Sequence, residues 1–211
     1  MSFRRYRPYQ KGEFIIAAAD TSAGGNDYSA CQFLSKTNLD IPVVYHSKVT
    51  ATEMTPSLAQ ELSIIYRQTG VRPVVAYEQN NGGSFELQRL ATLNRDGDWK
   101  MYLQKSHIGT EDGSEDTEKY GFNTNSATRP AMLTLLKEAI DNQLIKIYDK
   151  PTINEMFAFI VKPTGKAEAE QGAHDDLIMS LAIAWQMYQT EHPPIKKTHR
   201  RTEHKRLKFH I

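Results

Sequence analysis

Glu13-Phe14-Ile15-Ile16-Ala17-Ala18-Ala19-Asp20 is an unbroken apolar run closed at its far end by a carboxylate. Side chains alternate between the two faces of a strand, so a run without a polar member inside it belongs to a strand covered on both faces. That makes residues 13–20 the expected centre of a sheet. The turn-forming Ser22-Ala23-Gly24-Gly25-Asn26 follows and returns the chain into a second strand at residues 27–34, giving a hairpin. Residues 41–50 are β-branched and alternating, a third strand. Thr55-Pro56 reads as an N-cap followed by Pro at the first helical position, with the helix running to Gln68 before Gly70 ends it.

Further along, residues 72–78 are again apolar and again closed by an acid, Glu78. Asn80-Asn81-Gly82-Gly83 turns the chain into a helix at 84–93, and residues 99–104 read as another strand. The segment 111–118 carries Glu111, Asp112, Glu115, Asp116 and Glu118 among Gly and Ser; it lacks the D-x-[DN]-x-[DN]-G calcium-loop spacing and is expected to be a solvated loop. Thr128-Arg129-Pro130 starts a helix to Asn142. Residues 144–147 are extended, 152–157 helical, and 159–162 with 166–170 a hairpin. The last element, 175–189, is a helix with carboxylates in its first turn, where the macrodipole favours them. The order is α/β.

The chain has 211 residues, 39% of them apolar and 24% charged, with ten Tyr and eight Phe. This is enough apolar surface for a core and excludes wholesale disorder. The apolar run Phe14 to Ala19 is far short of the ~20 residues that span a bilayer, so no membrane partner is expected. The basic opening MSFRRYRPYQ has no apolar region behind it, so a signal peptide is not expected either. The single Cys31 cannot form an internal disulfide and fits a reducing compartment. A net charge of +1 conceals segregation: residues 1–13 carry +3, residues 192–211 carry +6, and residues 14–191 carry −8. The expected organisation is a basic N-terminal arm or linker remnant at 1–12, one domain at 13–191, and a basic, flexible tail at 192–211. Such arms either grip nucleic-acid phosphates or simply remain solvated.

Three acids stand where a core would rather have none: Asp20 and Glu78 end apolar strands, and Asp175-Asp176 open an apolar helix. Each alone has a plain structural reading as a turn acid, an ion-pair partner or a helix cap. If the strands ending at Asp20 and Glu78 are parallel neighbours, ~4.8 Å apart, both carboxylates emerge at the carboxyl edge of the sheet, where α/β proteins place their sites. The small residues Ser180, Ala182 and Ala184 would let the last helix pack on Ala17-Ala18-Ala19 and carry its acidic end to the same edge. Clustered carboxylates repel strongly at low dielectric, and divalent cations relieve that. Oxygen donors favour Mg²⁺ or Mn²⁺, and two such ions form the clamp used in phosphodiester hydrolysis.

Four segments in order, FIIAAADTSAGGNDYSA (14–30), VVAYEQNNGG (74–83), GFNTNSATRPAMLTLLKEAI (121–140) and GAHDDLIMSLAIAW (172–185), resemble the nuclease domain of the large terminase subunit of tailed double-stranded DNA bacteriophages. The resemblance covers residues 13–190. It implies an RNase H-like mixed sheet, with its first three strands antiparallel and the fourth parallel to the first, flanked by helices. It also implies a metal-dependent endodeoxyribonuclease that cuts concatemeric viral DNA in genome packaging with little sequence specificity. Asp20, Glu78 and Asp176 then match the catalytic metal ligands, with Asp175 assisting or capping. Asp27 is either a peripheral ligand or a turn acid. His174 either positions water or phosphate or bonds locally.

The same resemblance makes Asn80, Gly82 and Gly83 either a phosphate cradle at a helix N-terminus or a plain turn. Arg129 either touches the DNA backbone or packs the start of its helix, and Lys105 and His107 are weaker candidates. Lys196, Lys197, Arg200 and Arg201 of the tail are candidate phosphate contacts. The implied partners are double-stranded DNA, a terminase ATPase domain, the small terminase subunit and the portal protein, in the host cell cytoplasm. No G-x-x-x-x-G-K-[ST] phosphate loop is present in these residues, so ATP-driven translocation is not expected of them; an excised domain or a split gene product would account for this. The alternatives are a RuvC-like junction resolvase or transposase-type nuclease, and a non-catalytic DNA- or capsid-docking module.

Overall fold

The apolar run forms the middle of a sheet. In the computed structural model, which describes residues 2–80, 82–110, 113–161, 167–170 and 172–194, a six-stranded sheet is built from β1 (Phe3–Arg5), β2 (Ile15–Asp20), β3 (Ser29–Ser35), β4 (Asp40–Ser47), β5 (Val74–Tyr77) and β6 (Lys100–Met101) in the order β1-β4-β3-β2-β5-β6. Strands β2, β3 and β4 are antiparallel in succession, and β5 is parallel to β2. This is the RNase H-like arrangement expected from the sequence.

Alternation along β2 divides the core in two. Ile16 and Ala18 face one side with Leu34, Val44 and Val74, under α5 (Asp176–Thr190) and α3 (Thr128–Asp141). Ile15, Ala17 and Ala19 face the other with Phe33, Val43 and Tyr77, under α1 (Ala51–Thr69) and α2 (Gly83–Leu93). The expected packing of the last helix on Ala17-Ala18-Ala19 is therefore corrected: only Ala18 meets that layer, because successive strand residues cannot share a face. Helix α5 is buried almost all round, from Leu177 through Trp185, as a helix held between a sheet and other helices must be.

Helix α1 begins a turn earlier than Thr55-Pro56 suggested. Thr50 and Glu53 form a reciprocal capping box, the S/T-x-x-E pattern that satisfies two orphan donors, and this outweighs the proline signal. Pro56 then lies inside the helix, and its missing N–H leaves the Thr52 carbonyl without its usual donor. Arg89 Nη1 from α2 donates to that carbonyl at 2.8 Å. Gly70, at φ 71°, closes the helix as expected.

Within the basic N-terminal segment, β1 joins the sheet, antiparallel to β4, and the cations there are drawn to buried acids. Arg4 binds Asp149 through two nitrogens at 2.5 and 2.9 Å, Arg5 binds Glu61, and Arg7 binds Glu13 and Asp40. Of the acidic segment 111–118, expected to be a solvated loop, residues 113–118 instead lie in β8 (Gly113–Tyr120), antiparallel to β7 (Leu103–Thr110) in a separate two-stranded sheet; Glu111 and Asp112 fall outside the described residues. The backbone register sets Lys105 opposite Glu118 and His107 opposite Asp116.

Helix α4 (Lys150–Phe157) starts at Asp149, which accepts from Thr152 N at 2.9 Å and Thr152 Oγ1 at 2.7 Å. A short hairpin of β9 (Phe159–Val161) and β10 (Ala167–Ala169) follows it. Burial alone would raise the Asp149 carboxyl, but hydrogen bonds from Arg4, Tyr6 and Thr152 outweigh it and hold the group below its ordinary value. Its stabilisation is present above the ordinary carboxylate range and is lost as pH falls through the depressed value. Asp149→Ala removes a helix cap and strands Arg4. Urea unfolding should show a loss of about 3 kcal/mol. Among the described residues no helix is long and apolar enough to cross a membrane.

Candidate active site

Ala19 of β2 and Tyr77 of β5 are register partners, and Glu78 N donates to the Ala19 carbonyl at 2.8 Å. Asp20 and Glu78 are thus the next residues along adjacent parallel strands, leaving the sheet side by side at its carboxyl edge. Even-numbered positions of β2 face α5, so Asp20 points toward that helix, whose first residue is Asp176. Asp20, Glu78 and Asp176 are 9%, 6% and 6% exposed. They line one cleft of about 570 Å³ together with Asp27, Asn80, Arg129, Asp175 and Met179.

The electrostatics are those of an acid cluster. Burial, followed by the Glu78 charge, pushes the Asp20 carboxyl well above its ordinary range. Burial and then the charge of Asp27 push Asp176 up to about 8. Asp176 Oδ2 is enclosed and has no hydrogen-bond partner. A carboxylate oxygen left bare in a nest of other carboxylates is a poor arrangement for a free protein and a good one for a cation. The donor set is oxygen-rich, which fits a hard divalent ion.

Helix α5 is capped in an unexpected way. Asp175 occupies the N-cap position but makes no capping bond; its carboxylate instead takes Arg129 Nη2 at 2.8 Å. The cap comes from Glu155 of α4, whose Oε2 accepts from Leu177 N at 2.9 Å and Ile178 N at 3.3 Å. Both aspartates are thereby released from helix capping and left to face the cleft. Burial pushes Glu155 up to about 7. Arg129 is fixed at its other nitrogen by Met179 Sδ at 3.0 Å, so it joins α3 to α5 as well as lining the cleft.

Asn80 Nδ2 donates to Glu78 Oε1 at 3.1 Å and also reaches the Thr124 carbonyl, steadying the acid. Gly82, at φ 86°, and Gly83 permit the tight return behind it: a Cβ on Gly83 would stand 1.8 Å from the Glu78 carbonyl oxygen. Neither glycine lines the cleft, and Gly83 N is engaged by the Asn80 carbonyl at 2.9 Å. Asp27 joins the site directly. Ligand atoms of Asp27, His174 and Asp176 lie within 4.8 Å of one another. His174 Nδ1 stands 3.9 Å from Asp27 and 3.7 Å from Asp176, too far for hydrogen bonds. Lys105 lies on β7 and does not line the cleft. Lys196, Lys197, Arg200 and Arg201 fall outside the described residues.

Two residues at the site escaped sequence reasoning, Glu155 and His46. Ala30 of β3 pairs with Asp20 on one side and His46 of β4 on the other, so His46 shares a row with Asp20 across three strands. Burial, then the charge of Arg4, lowers its imidazole to about 4. Its ring stacks on Tyr28 at 4.4 Å. Only the strand register, which no local pattern encodes, could have linked His46 to the site.

No protein-family model matches the sequence. Solved structures do. The magnesium-bound large terminase nuclease from thermophilic phage G20c is similar at TM-score 0.62 and 16% identity, with 88% of this chain and 87% of that one covered. The large terminase nuclease domain of Thermus phage P74-26 gives 0.63 and 16%, over 91% and 88%. The P22 large terminase nuclease domain gives 0.55 and 14%, over 88% and 87%. The G20c nuclease is also known with bound cobalt and with bound zinc. This chain therefore has the RNase H-like fold of phage large-terminase nuclease domains, with an acidic cleft at the carboxyl edge of its central parallel pair.

Proposed function

We propose that this chain is a divalent-metal-dependent DNA endonuclease of the genome-packaging kind, cutting concatemeric viral DNA in the host cytoplasm. The observation that carries the reading is the meeting of Asp20, Glu78 and Asp176 from three separate elements in one cleft. The bound metal in one similar structure, the G20c nuclease, supports it. Asp20, Glu78 and Asp176 would hold two Mg²⁺ or Mn²⁺ ions, with Asp175 and Asp27 also lining the cleft. When bound, such a pair activates water and stabilises the leaving oxygen of a phosphodiester.

The chain's own groups have separate tasks. Asn80 holds the Glu78 carboxylate in place. Arg129, the one cation among the described residues lining the cleft, would meet a backbone phosphate; its guanidinium is paired with Asp175 at 2.8 Å. His174 stands at the exposed side, where it would steer water or phosphate. Phosphate contacts position DNA without reading sequence, which agrees with low specificity. Arg4, Arg5 and Arg7 are committed to buried acids, so of the two basic ends of the chain the tail, and not the N-terminal strand, would add to the grip on DNA. The terminase ATPase domain, small subunit and portal belong to this proposal as partners.

Supercoiled plasmid should be nicked and linearised with Mg²⁺ or Mn²⁺ and left intact with Ca²⁺ or EDTA. Linear duplex should be cut at least as well as a four-way junction. Strong preference for the junction would transfer the chain to the resolvases. Salt-sensitive DNA binding without cutting in any ion would leave a docking module.

A further inference from the structure

Beside the oxygen-lined cleft lies a second group of donors of different chemistry. Ligand atoms of His46, Glu155 and Asp176 fall within 4.8 Å of one another. They come from β4, α4 and the first turn of α5. Two of these residues carry an enclosed atom without a hydrogen-bond partner, His46 Nε2 and Asp176 Oδ2, and Asp176 is only 6% exposed. Enclosed polar atoms that no hydrogen bond satisfies call for another partner.

The supports of these donors are built. The His46 ring lies against Tyr28 at 4.4 Å and 26°, and its backbone N–H is bound by the Ser2 carbonyl. Glu155 is anchored through Oε2 by two helix N–H groups, so one oxygen is fixed while the other can turn to a ligand. Second supports of this kind are what orient metal-binding side chains. Donors at roughly 2.0–2.2 Å from an ion stand about 3–4 Å apart, so the group closes on one with movements below about an ångström.

We propose that His46, Glu155 and Asp176 form a further divalent-cation site, selective for a borderline ion such as Mn²⁺, Co²⁺ or Zn²⁺ over Mg²⁺. One nitrogen with two carboxylates suits such ions, whereas Mg²⁺ prefers oxygen alone. The site borrows Asp176 from the cleft but does not depend on the proposed reaction; it would bind whether or not the cleft cuts DNA. Its occupation would hold Asp176 in one orientation and in its charged form.

The test uses the full chain in excess Mg²⁺, which fills oxygen-only sites, titrated with Mn²⁺ and read by pulsed EPR for coupling to imidazole nitrogen. Wild type and Asp20→Asn should both show one nitrogen-coupled Mn²⁺. His46→Phe, which keeps the stack on Tyr28 but has no donor, should lose the coupling and bind Mn²⁺ at least tenfold more weakly. Glu155→Gln, which keeps the helix cap, should weaken binding while retaining the coupling; it serves as the second variant if His46→Phe does not fold by circular dichroism. The coupling should survive His174→Ala. Coupling that survives His46→Phe but vanishes in His174→Ala would place the ion with Asp27 and overturn the proposal, as would an unchanged Mn²⁺ affinity in Glu155→Gln.

Discussion

Asp20→Asn should lower the single-turnover rate of plasmid nicking by at least roughly a thousandfold in Mg²⁺, about 4 kcal/mol of transition-state stabilisation. The size follows from position. Asp20 stands between Glu78 and Asp176 and feels the charge of both, so a neutral amide there weakens every cation that the cluster could hold. The fold should not suffer. The substitution is isosteric, and it removes a like charge beside Glu78 at a buried edge. Thermal melts without divalent ion should place the variant at or above the parent, while the rise in Tm that ions give the parent should largely vanish. Undiminished cleavage by a well-folded Asp20→Asn would sink the assignment of the cleft.

A second large effect is expected from pH and metal together. Asp20 is held well above its ordinary range, Asp176 at about 8 and Glu155 at about 7. For such raised groups the native state binds protons that the unfolded chain has released. Their contribution to stability is full below the ordinary carboxylate range and is lost as pH climbs through the raised values. His46, lowered to about 4, works in the opposite direction, but its effect is complete once pH exceeds the ordinary histidine value near 6.5.

The depressed Asp149 and Glu13 act lower still. Between pH 6.5 and 8.5 the raised carboxylates therefore dominate, and the ion-free protein should lose Tm steadily across that window. Divalent ions bind the deprotonated acids, so their effect should grow with pH. At a hundred times Kd the gain is about 2.7 kcal/mol, or roughly 5–10 °C for a chain of this size. A flat ion-free profile, or an ion effect that does not change with pH, would show that these acids are not coupled to a cation.

Much of the sheet and half of the site were legible in the chain. The run from Phe14 to Asp20 could only be a strand buried on both faces, and the acid at its end could only emerge at the sheet's edge. The same logic placed Glu78, and the shared edge followed once the two strands were taken as parallel neighbours. What stayed hidden depends on contacts distant in sequence. Arg4, Arg5 and Arg7 look solvated until Asp149, Glu61, Glu13 and Asp40 are brought to them. Five acids between residues 111 and 118 suggest a loop, because the backbone pairing of residues 113–118 with β7 is set by register. Glu155 sits in a short helix with no local peculiarity, and its meaning arises from caps it makes 22 and 23 residues away.

The capping of α5 by a neighbour has a mechanical consequence. Arg4 of β1 grips Asp149; Asp149 begins α4; and Glu155, two turns along, grips the first turn of α5 that bears Asp176. Three handholds therefore join the first strand of the sheet to a cleft aspartate, and the loss of any one of them unties β1 from the Asp176 end of α5 along this route.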